Sequence, residues 1–296
     1  MVCPGGGFDD YKPIKRVVKY LQGLNYKVKL GNSLVTSNTS FNYLSGPDNK
    51  READFVKLWN DQNIDAIFCL RGGYGCLRLL NTIEFELLRR TKKILLGFSD
   101  ITILLLAICA RLDLVTFHGP LLGHNFIKSN LTPVDILTEQ NMWQLLKSPS
   151  FNFSYSLKSK IKVVNKGKAV GRLIGGNLTS ICCLLGTDYL PDFKNSILFL
   201  EECNEEPYKI DRMLTQLINI GIFGEVSGIV LGDFYQCGFR SKQQIIDLIK
   251  NRVDNYKIPI VSNFPVGHRD RNYTLPIGQE VILDTYSSVL CSASRK

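Results

Sequence analysis

Lys93-Ile-Leu-Leu-Gly-Phe-Ser-Asp-Ile101 decides how this chain reads. An apolar, strand-like run breaks at Gly97, presents the hydroxyl of Ser99, and passes at once into a helix-like apolar segment that lasts through Ala110. A sharp strand-to-helix turn lifts a serine side chain out of a sheet, and the first turn of the helix leaves amide N–H groups free to hold a developing oxyanion. Ser99 is therefore a candidate nucleophile. The same letters also suit a plain helix start, because Ser and Asp are favoured N-caps.

Outward from this turn the first half alternates. A Gly-rich turn, Pro4 to Gly7, precedes an amphipathic stretch from Ile14 to Leu24, a strand Tyr26 to Leu30 and a charged helix from Asn49 to Asn60. The strand Ala66 to Leu70 ends in Arg71-Gly-Gly-Tyr-Gly75 and leads into helical material up to Arg90. After the turn come the strand Leu114 to Thr116 and a helix near Val134 to Leu146. Such alternation predicts an α/β fold, a parallel sheet covered by helices on both faces, with ligands at the carboxyl ends of its strands. Arg71-Gly-Gly73 and Ser99 both fall there. Residues 1–146 read as one domain, the polar and basic stretch 147–170 as the crossing, and 171–296 as a second domain. In that second half the strand Ile197 to Leu200 meets a charged loop, Glu201 to Glu206. The helix opened by Pro207 carries Ile210, Met213, Leu214, Leu217 and Ile218 on one face. Strands at Gly228 to Gly232 and Ile258 to Val261 flank a helix Ser241 to Asn251, and Val281 to Ala293 reads as a terminal strand pair.

A serine nucleophile needs a base and a group to orient it. The chain holds 3 His, so the base comes from His118, His124 or His268. His268 closes the loop Phe264-Pro-Val-Gly-His268 between glycine- and charge-rich stretches, the setting in which a histidine stays partly solvated. Glu201 is the first residue past an apolar strand, so among Glu201, Glu202, Glu205 and Glu206 it is the one held nearest the sheet. Ser99, Glu201 and His268 thus form a candidate triad. A solvated acidic loop and an ordinary tight turn at Gly72-Gly73 are the plain alternatives.

Composition narrows the class. The 296 residues are 45% hydrophobic and 21% charged, as in soluble globular chains. No secretory signal opens the sequence, and the longest apolar run, Ile101 to Ala110, is too short to span a bilayer. A cytoplasmic protein without membrane contact is the expectation. Nine Cys, none in a C-x-x-C pair, read as reduced core residues. The formal net charge of +9 is spread along the chain without interleaved aromatics, which argues against nucleic acid as a partner. Arg71-Gly-Gly-Tyr-Gly75 matches neither G-x-G-x-x-G nor G-x-x-x-x-G-K-[ST], so no nucleotide cofactor is indicated.

Seven segments stand in a recognisable order: Cys69-Leu-Arg-Gly-Gly-Tyr-Gly75, Gly97-Phe-Ser-Asp-Ile101, His118-Gly-Pro120, Gly175-Gly-Asn-Leu178, Leu198-Phe-Leu-Glu201, Pro207-Tyr208 with Asp211-Arg212, and Pro265-Val-Gly-His268. Together they resemble the LD-carboxypeptidase family, serine peptidases that remove the terminal D-amino acid from muropeptide tetrapeptides. The resemblance implies a Rossmann-like N-terminal domain bearing Ser99 and a C-terminal α/β domain bearing Glu201 and His268, with the active site in the cleft. It also implies an oxyanion hole from the amides of Asp100 and Gly73, Arg71 in the substrate pocket, no metal or organic cofactor, and a homodimer. Three features depart from the family pattern. Only Met1-Val-Cys3 precedes Pro4 where members carry a full apolar strand, which reads as a truncated first strand or a late start. Glu202-Cys203-Asn204 replaces Asp-Val-Gly, and Arg269-Asp-Arg271 is a more charged flank to the histidine.

The resemblance also admits a second branch, the microcin-C immunity peptidases, which cut an acyl–nucleotide amide. That branch wants an aromatic platform for the base, for which Phe151, Phe153 and Tyr155 are the candidates. A non-catalytic muropeptide-binding module is the reading from a different class.

Overall fold

The computed structural model describes residues 1–36, 41–125, 133–158, 161–253 and 256–293. Helices α1 (Lys12–Gly23), α2 (Asp48–Asn60), α3 (Phe85–Leu88), α4 (Thr102–Leu112), α5 (Leu122–Asn125) and α6 (Pro133–Leu146) surround strands β1 (Ala66–Phe68), β2 (Ile94–Gly97) and β3 (Thr116–His118). The second half carries β4 (Ser154–Ser156), β5 (Lys162–Asn165), β6 (Lys168–Asn177), α7 (Leu178–Leu184), β7 (Ile197–Cys203), α8 (Pro207–Asn219), α9 (Ile222–Glu225) and β8 (Gly228–Tyr235). It closes with α10 (Lys242–Val253), β9 (Ile260–Ser262), β10 (Leu275–Ile277), β11 (Glu280–Asp284) and β12 (Val289–Ser292).

Two sheets result. The first has the order β1-β2-β3-β10, with the first three strands parallel and β10 antiparallel on β3. The second has the order β4-β12-β11-β6-β7-β8-β9-β5, and its centre, β6 to β9, is parallel. Parallel strands covered on both faces are apolar at every position, and Ile197, Leu198, Phe199 and Leu200 are all fully buried. Helix α4 is apolar all round, with nine of its residues buried, because it packs between the sheets against β3, β6 and α7.

The α/β reading and most element positions hold, with informative differences. Strand β2 falls on the predicted residues, whereas β3 lies two residues beyond the expected Leu114–Thr116. Strand β7 continues through Cys203, past the expected end at Leu200, so Glu201 lies within the strand and not after it. The stretch 147–170, expected as a crossing, carries β4, β5 and the start of β6, and β10 from the second half completes the first sheet. Tyr26 to Leu30, expected as a strand, forms no ladder. Beside it Val2 makes a single parallel bridge to Cys69, and Gly31 N–H donates to the Met1 carbonyl at 2.9 Å. A cavity of about 700 Å³ lies next to Met1, between Val28-Lys29 and β1. A strand requires hydrogen-bonding neighbours, and apolar alternation alone does not supply them.

Candidate active site

The turn after β2 has the geometry a nucleophile elbow requires. Phe98 is extended, at φ −154° and ψ −173°, and Ser99 then takes φ +64° at the head of a 3₁₀ turn that runs into α4. A non-glycine residue at positive φ costs about 1–3 kcal/mol and persists only where the surroundings enforce it. Here they do. A Cβ placed on Gly72 would lie 3.0 Å from Ser99 Cβ and 3.2 Å from its Oγ, so the Arg71–Gly75 loop lies against the serine and a side chain there would press on it.

That loop is fastened from several directions. Gly6 N–H donates to Gly72 O at 2.7 Å, and Ser45 N–H to Gly5 O at 3.1 Å. Arg51, on α2 and 1% exposed, donates to the carbonyls of Pro4, Gly46 and Gly75 and pairs with Asp48. Asp100 accepts the Cys76 N–H at 2.9 Å, and burial lifts its carboxyl to about 6 against the pull of that bond. The Asp100 side chain thus ties the elbow to the loop, while its backbone N–H and that of Gly73 have no protein acceptor among the described residues. Arg71 is exposed and its guanidinium reaches the Gly7 carbonyl.

Glu201 and His268 meet at the carboxyl ends of the second sheet's parallel strands. His268 Nδ1 lies 2.7 Å from Glu201 Oε2, with Glu201 wholly buried and the His268 side chain 18% exposed. The approach depends on Gly267, at φ +130°, where a Cβ would fall 3.2 Å from Glu201 Oε2. With Nδ1–H donated to the carboxylate, Nε2 is left as the acceptor, the tautomer a general base needs. Burial works against the imidazolium, but contact with the Cys203 thiol and the Glu201 carboxylate outweighs it and raises His268 to about 10. The Phe98 ring, one residue before Ser99, lies 4.7 Å from the His268 ring, which brings the Ser99 turn and His268 together. Among the described residues no hydrogen bond yet joins Ser99 Oγ to His268. Such bonds are often formed only once substrate is bound.

Both halves of the chain match family models. Residues 1–119 match the LD-carboxypeptidase N-terminal domain and residues 170–283 the LD-carboxypeptidase C-terminal domain. A probable murein peptide carboxypeptidase of Bacillus subtilis is 35% identical over 280 residues, covering 93% of this chain and 85% of the relative. The chain belongs to the LD-carboxypeptidase family. The crystal structure of a muramoyltetrapeptide carboxypeptidase from Oxalobacter formigenes superposes with a TM-score of 0.84 at 26% identity, covering 100% of this chain and 99% of that one. The microcin C7 self-immunity protein of Escherichia coli is also similar, 29% identical over 295 residues, with 91% of this chain and 84% of the relative covered.

Within this family member the other histidines play different parts. His118 is fully buried on β3, in ring contact with Phe98 and Phe199, and burial pushes it down to about 3. His124 lies in α5, and its side chain is outside the described residues. The flank of His268 is tethered: Arg269 pairs with Asp233 at 3.0 Å and lies over Tyr235, and Arg271 lies over Tyr273. Tyr155 is buried, and Phe151 and Phe153 are half-buried. Phe151 packs on Phe117 and Phe153 on Tyr155, and the buried Tyr155 hydroxyl donates to Thr274 O. Of the nine cysteines five are buried and Cys183 is exposed, so core packing does not describe them all. Among the described residues no group of His, Cys, Asp and Glu could hold a metal ion, and no helix is long and apolar enough to cross a membrane. Arg51 was missed in the sequence, where it reads as one more charge on a charged helix.

Proposed function

We propose that this family member is a serine carboxypeptidase that hydrolyses the bond between an L-centre and a terminal D-alanine in muropeptide tetrapeptides. Ser99 Oγ attacks the scissile carbonyl while His268 Nε2 takes its proton. Glu201, on Nδ1, steadies the imidazolium so formed. The amides of Asp100 and Gly73 receive the oxyanion, and Arg71 stands in the substrate pocket. Collapse of the tetrahedral intermediate breaks the C–N bond. D-alanine leaves with the proton from His268, and the acyl group stays on Ser99. Water, deprotonated by the same base, then attacks the ester and restores the serine. On this reading the enzyme acts in the cytoplasm on imported muropeptides.

The observation that carries the reading is the 2.7 Å contact of His268 with buried Glu201 beside a serine held at positive φ. Similarity to the microcin C7 self-immunity protein favours a second reading, cleavage of an acyl–nucleotide amide. Mass spectrometry of a disaccharide tetrapeptide incubated with the wild type and with Ser99→Ala separates them. Release of D-alanine by the wild type alone supports the first; cleavage only of an aminoacyl-sulfamoyl adenosine supports the second. Muropeptide binding without turnover, and without reaction with a serine-directed phosphonate, would make the chain a binding module.

A further inference from the structure

Ser99 and the Glu201–His268 pair come from different sheets. Ser99 follows β2 of the first, whereas Glu201 lies on β7 of the second and His268 follows β9. A buried polar chain joins the two sheets at this point, and Glu202 anchors it. Glu202 is 2% exposed, and its carboxylate is held by four neutral donors. Oε1 accepts the Asn177 side-chain amide and the Cys203 N–H, both at 2.8 Å, and Oε2 accepts the N–H and the hydroxyl of Thr179 at 2.8 and 2.7 Å. Burial raises the Glu202 carboxyl, against the pull of these bonds.

Asn177 carries the contact across. It ends β6, stands opposite Glu201 in the β6–β7 ladder and caps α7. Its backbone N–H donates to Thr102 Oγ1 at 3.2 Å, and buried Thr102 opens α4 three residues past Ser99. Asn177 Oδ1 accepts the Ser180 N–H at 3.0 Å and lies 3.1 Å from the Ser180 hydroxyl, which is itself 3.4 Å from the Ser99 carbonyl. The packing is close as well: a Cβ on Gly176 would fall 2.5 Å from Thr102 Cγ2.

A helix cap requires one acceptor, and Asn177 Oδ1 already supplies it. Glu202 adds something further. A carboxylate only accepts, so it draws the donor end of the Asn177 amide toward itself and leaves the acceptor end facing Ser180. Because all four partners are donors, an amide in its place turns an N–H against some of them and leaves buried donors unpaired. Asn177 then loses the bond that fixes its side chain, and with it the seating of Thr102 and of the Ser99 turn.

We propose that Glu202 is a positioning residue, which acts through Asn177 to hold the Ser99 turn in register with the Glu201–His268 pair. The inference rests on the serine mechanism above. Its consequence is kinetic, because a reacting group displaced by about 1 Å loses on the order of a hundredfold in rate.

The test uses Glu202→Gln, which keeps the shape and removes an acceptor, and Thr102→Val, which removes the acceptor of the Asn177 N–H. With a disaccharide tetrapeptide, Glu202→Gln should lower kcat by about ten- to a hundredfold and leave KM within about twofold. A serine-directed phosphonate gives a readout that needs no muropeptide. The final extent of labelling counts folded sites, and the labelling rate per site reports how Ser99 is placed. Glu202→Gln should label fully, at a rate reduced in step with kcat. Thr102→Val should slow labelling in the same way, and the double variant should lose less than the product of the single losses, since both act on one path. Fewer labelled sites at the wild-type rate per site would make Glu202 a structural cap and overturn the proposal. An unchanged kcat, or single losses that simply multiply, would do the same. If Glu202→Gln yields no folded protein, Thr102→Val decides alone, and a wild-type labelling rate there counts against the proposal. A wild type that labels yet turns over no tetrapeptide would end the carboxypeptidase reading, with the labelling rates still deciding the role of Glu202. A wild type that does not label at all would overturn both.

Discussion

Ser99 and Gly72 lie in steric contact: the serine stands at φ +64° with a side-chain-free backbone against it. Ser99→Ala should lower kcat/KM by roughly four to six orders of magnitude while leaving the melting temperature near wild type. Gly72→Ala places a methyl 3.0 Å from Ser99 Cβ and should lose most activity with a folded circular dichroism spectrum, a combination that a purely structural glycine would not give. On the proposed mechanism His268 acts as a base only when neutral, and its pKa is raised to about 10, so kcat/KM should climb with pH to a midpoint above the ordinary imidazole value of about 6.5. Glu201→Gln removes a charge that favours the imidazolium. In that variant the midpoint should fall, together with a large loss of kcat; a pH–rate profile that keeps its midpoint would remove Glu201 from the dyad.

Helix α2 shows how an element distant from the chemistry shapes it. Its apolar face, with Phe55, Leu58 and Trp59, seats it against α3 and the 3₁₀ turn Cys76–Leu79, and that seating carries Arg51 beneath the loops at Pro4, Gly46 and Gly75. Arg51→Leu would strand three carbonyls that share this one guanidinium. We expect a stability loss of at least about 3 kcal/mol in urea unfolding, and a fall in kcat from a loosened Gly72–Gly73 loop. Strand β7 works in the same way on the other wall. An irregularity in its pairing with β8 between Leu200 and Glu202 leaves Glu201 buried at the strand's active end, facing His268.

At the scale of the whole molecule the two sheets behave as one body. Strand β10 returns from residue 275 to pair with β3, and one apolar cluster runs from Val2 to Leu290. Thermal unfolding should therefore show a single transition, and a fragment of residues 1–146 should fail to give native-like amide protection. His118 adds a pH dependence. Burial and the neighbouring His268 depress its pKa to about 3, whereas an unfolded chain protonates near 6.5. Its contribution is complete above about 6.5 and drains as the pH falls toward 3, where the unfolded state binds the extra proton. Below about pH 5.5 His268 is protonated in both states and adds no slope, and between about 5.5 and 6.5 its raised pKa opposes the loss. His118→Gln should flatten the decline of the melting temperature between pH 6.5 and 4.

Local pattern determined much of this protein. The apolar run into Gly97 followed by Ser99 and an unbroken apolar segment dictates a strand, a sharp turn and a buried helix, and the period of Ile210, Leu214 and Leu217 dictates the inward face of α8. Residue type and position mark Ser99, Glu201 and His268 as a candidate triad, and the order of seven short segments agrees with that choice. What local pattern could not contain was anything that depends on a partner distant in the chain. The Tyr26–Leu30 run stays irregular for want of a neighbouring strand, β10 joins a sheet formed some 160 residues earlier, and Arg51 looks like a solvated charge until three loops converge on it. Periodicity encodes which face of an element seeks the core, because that is a property of consecutive residues. Pairing, strain and the burial of a charge are properties of surfaces brought together, and only the tertiary structure decides them.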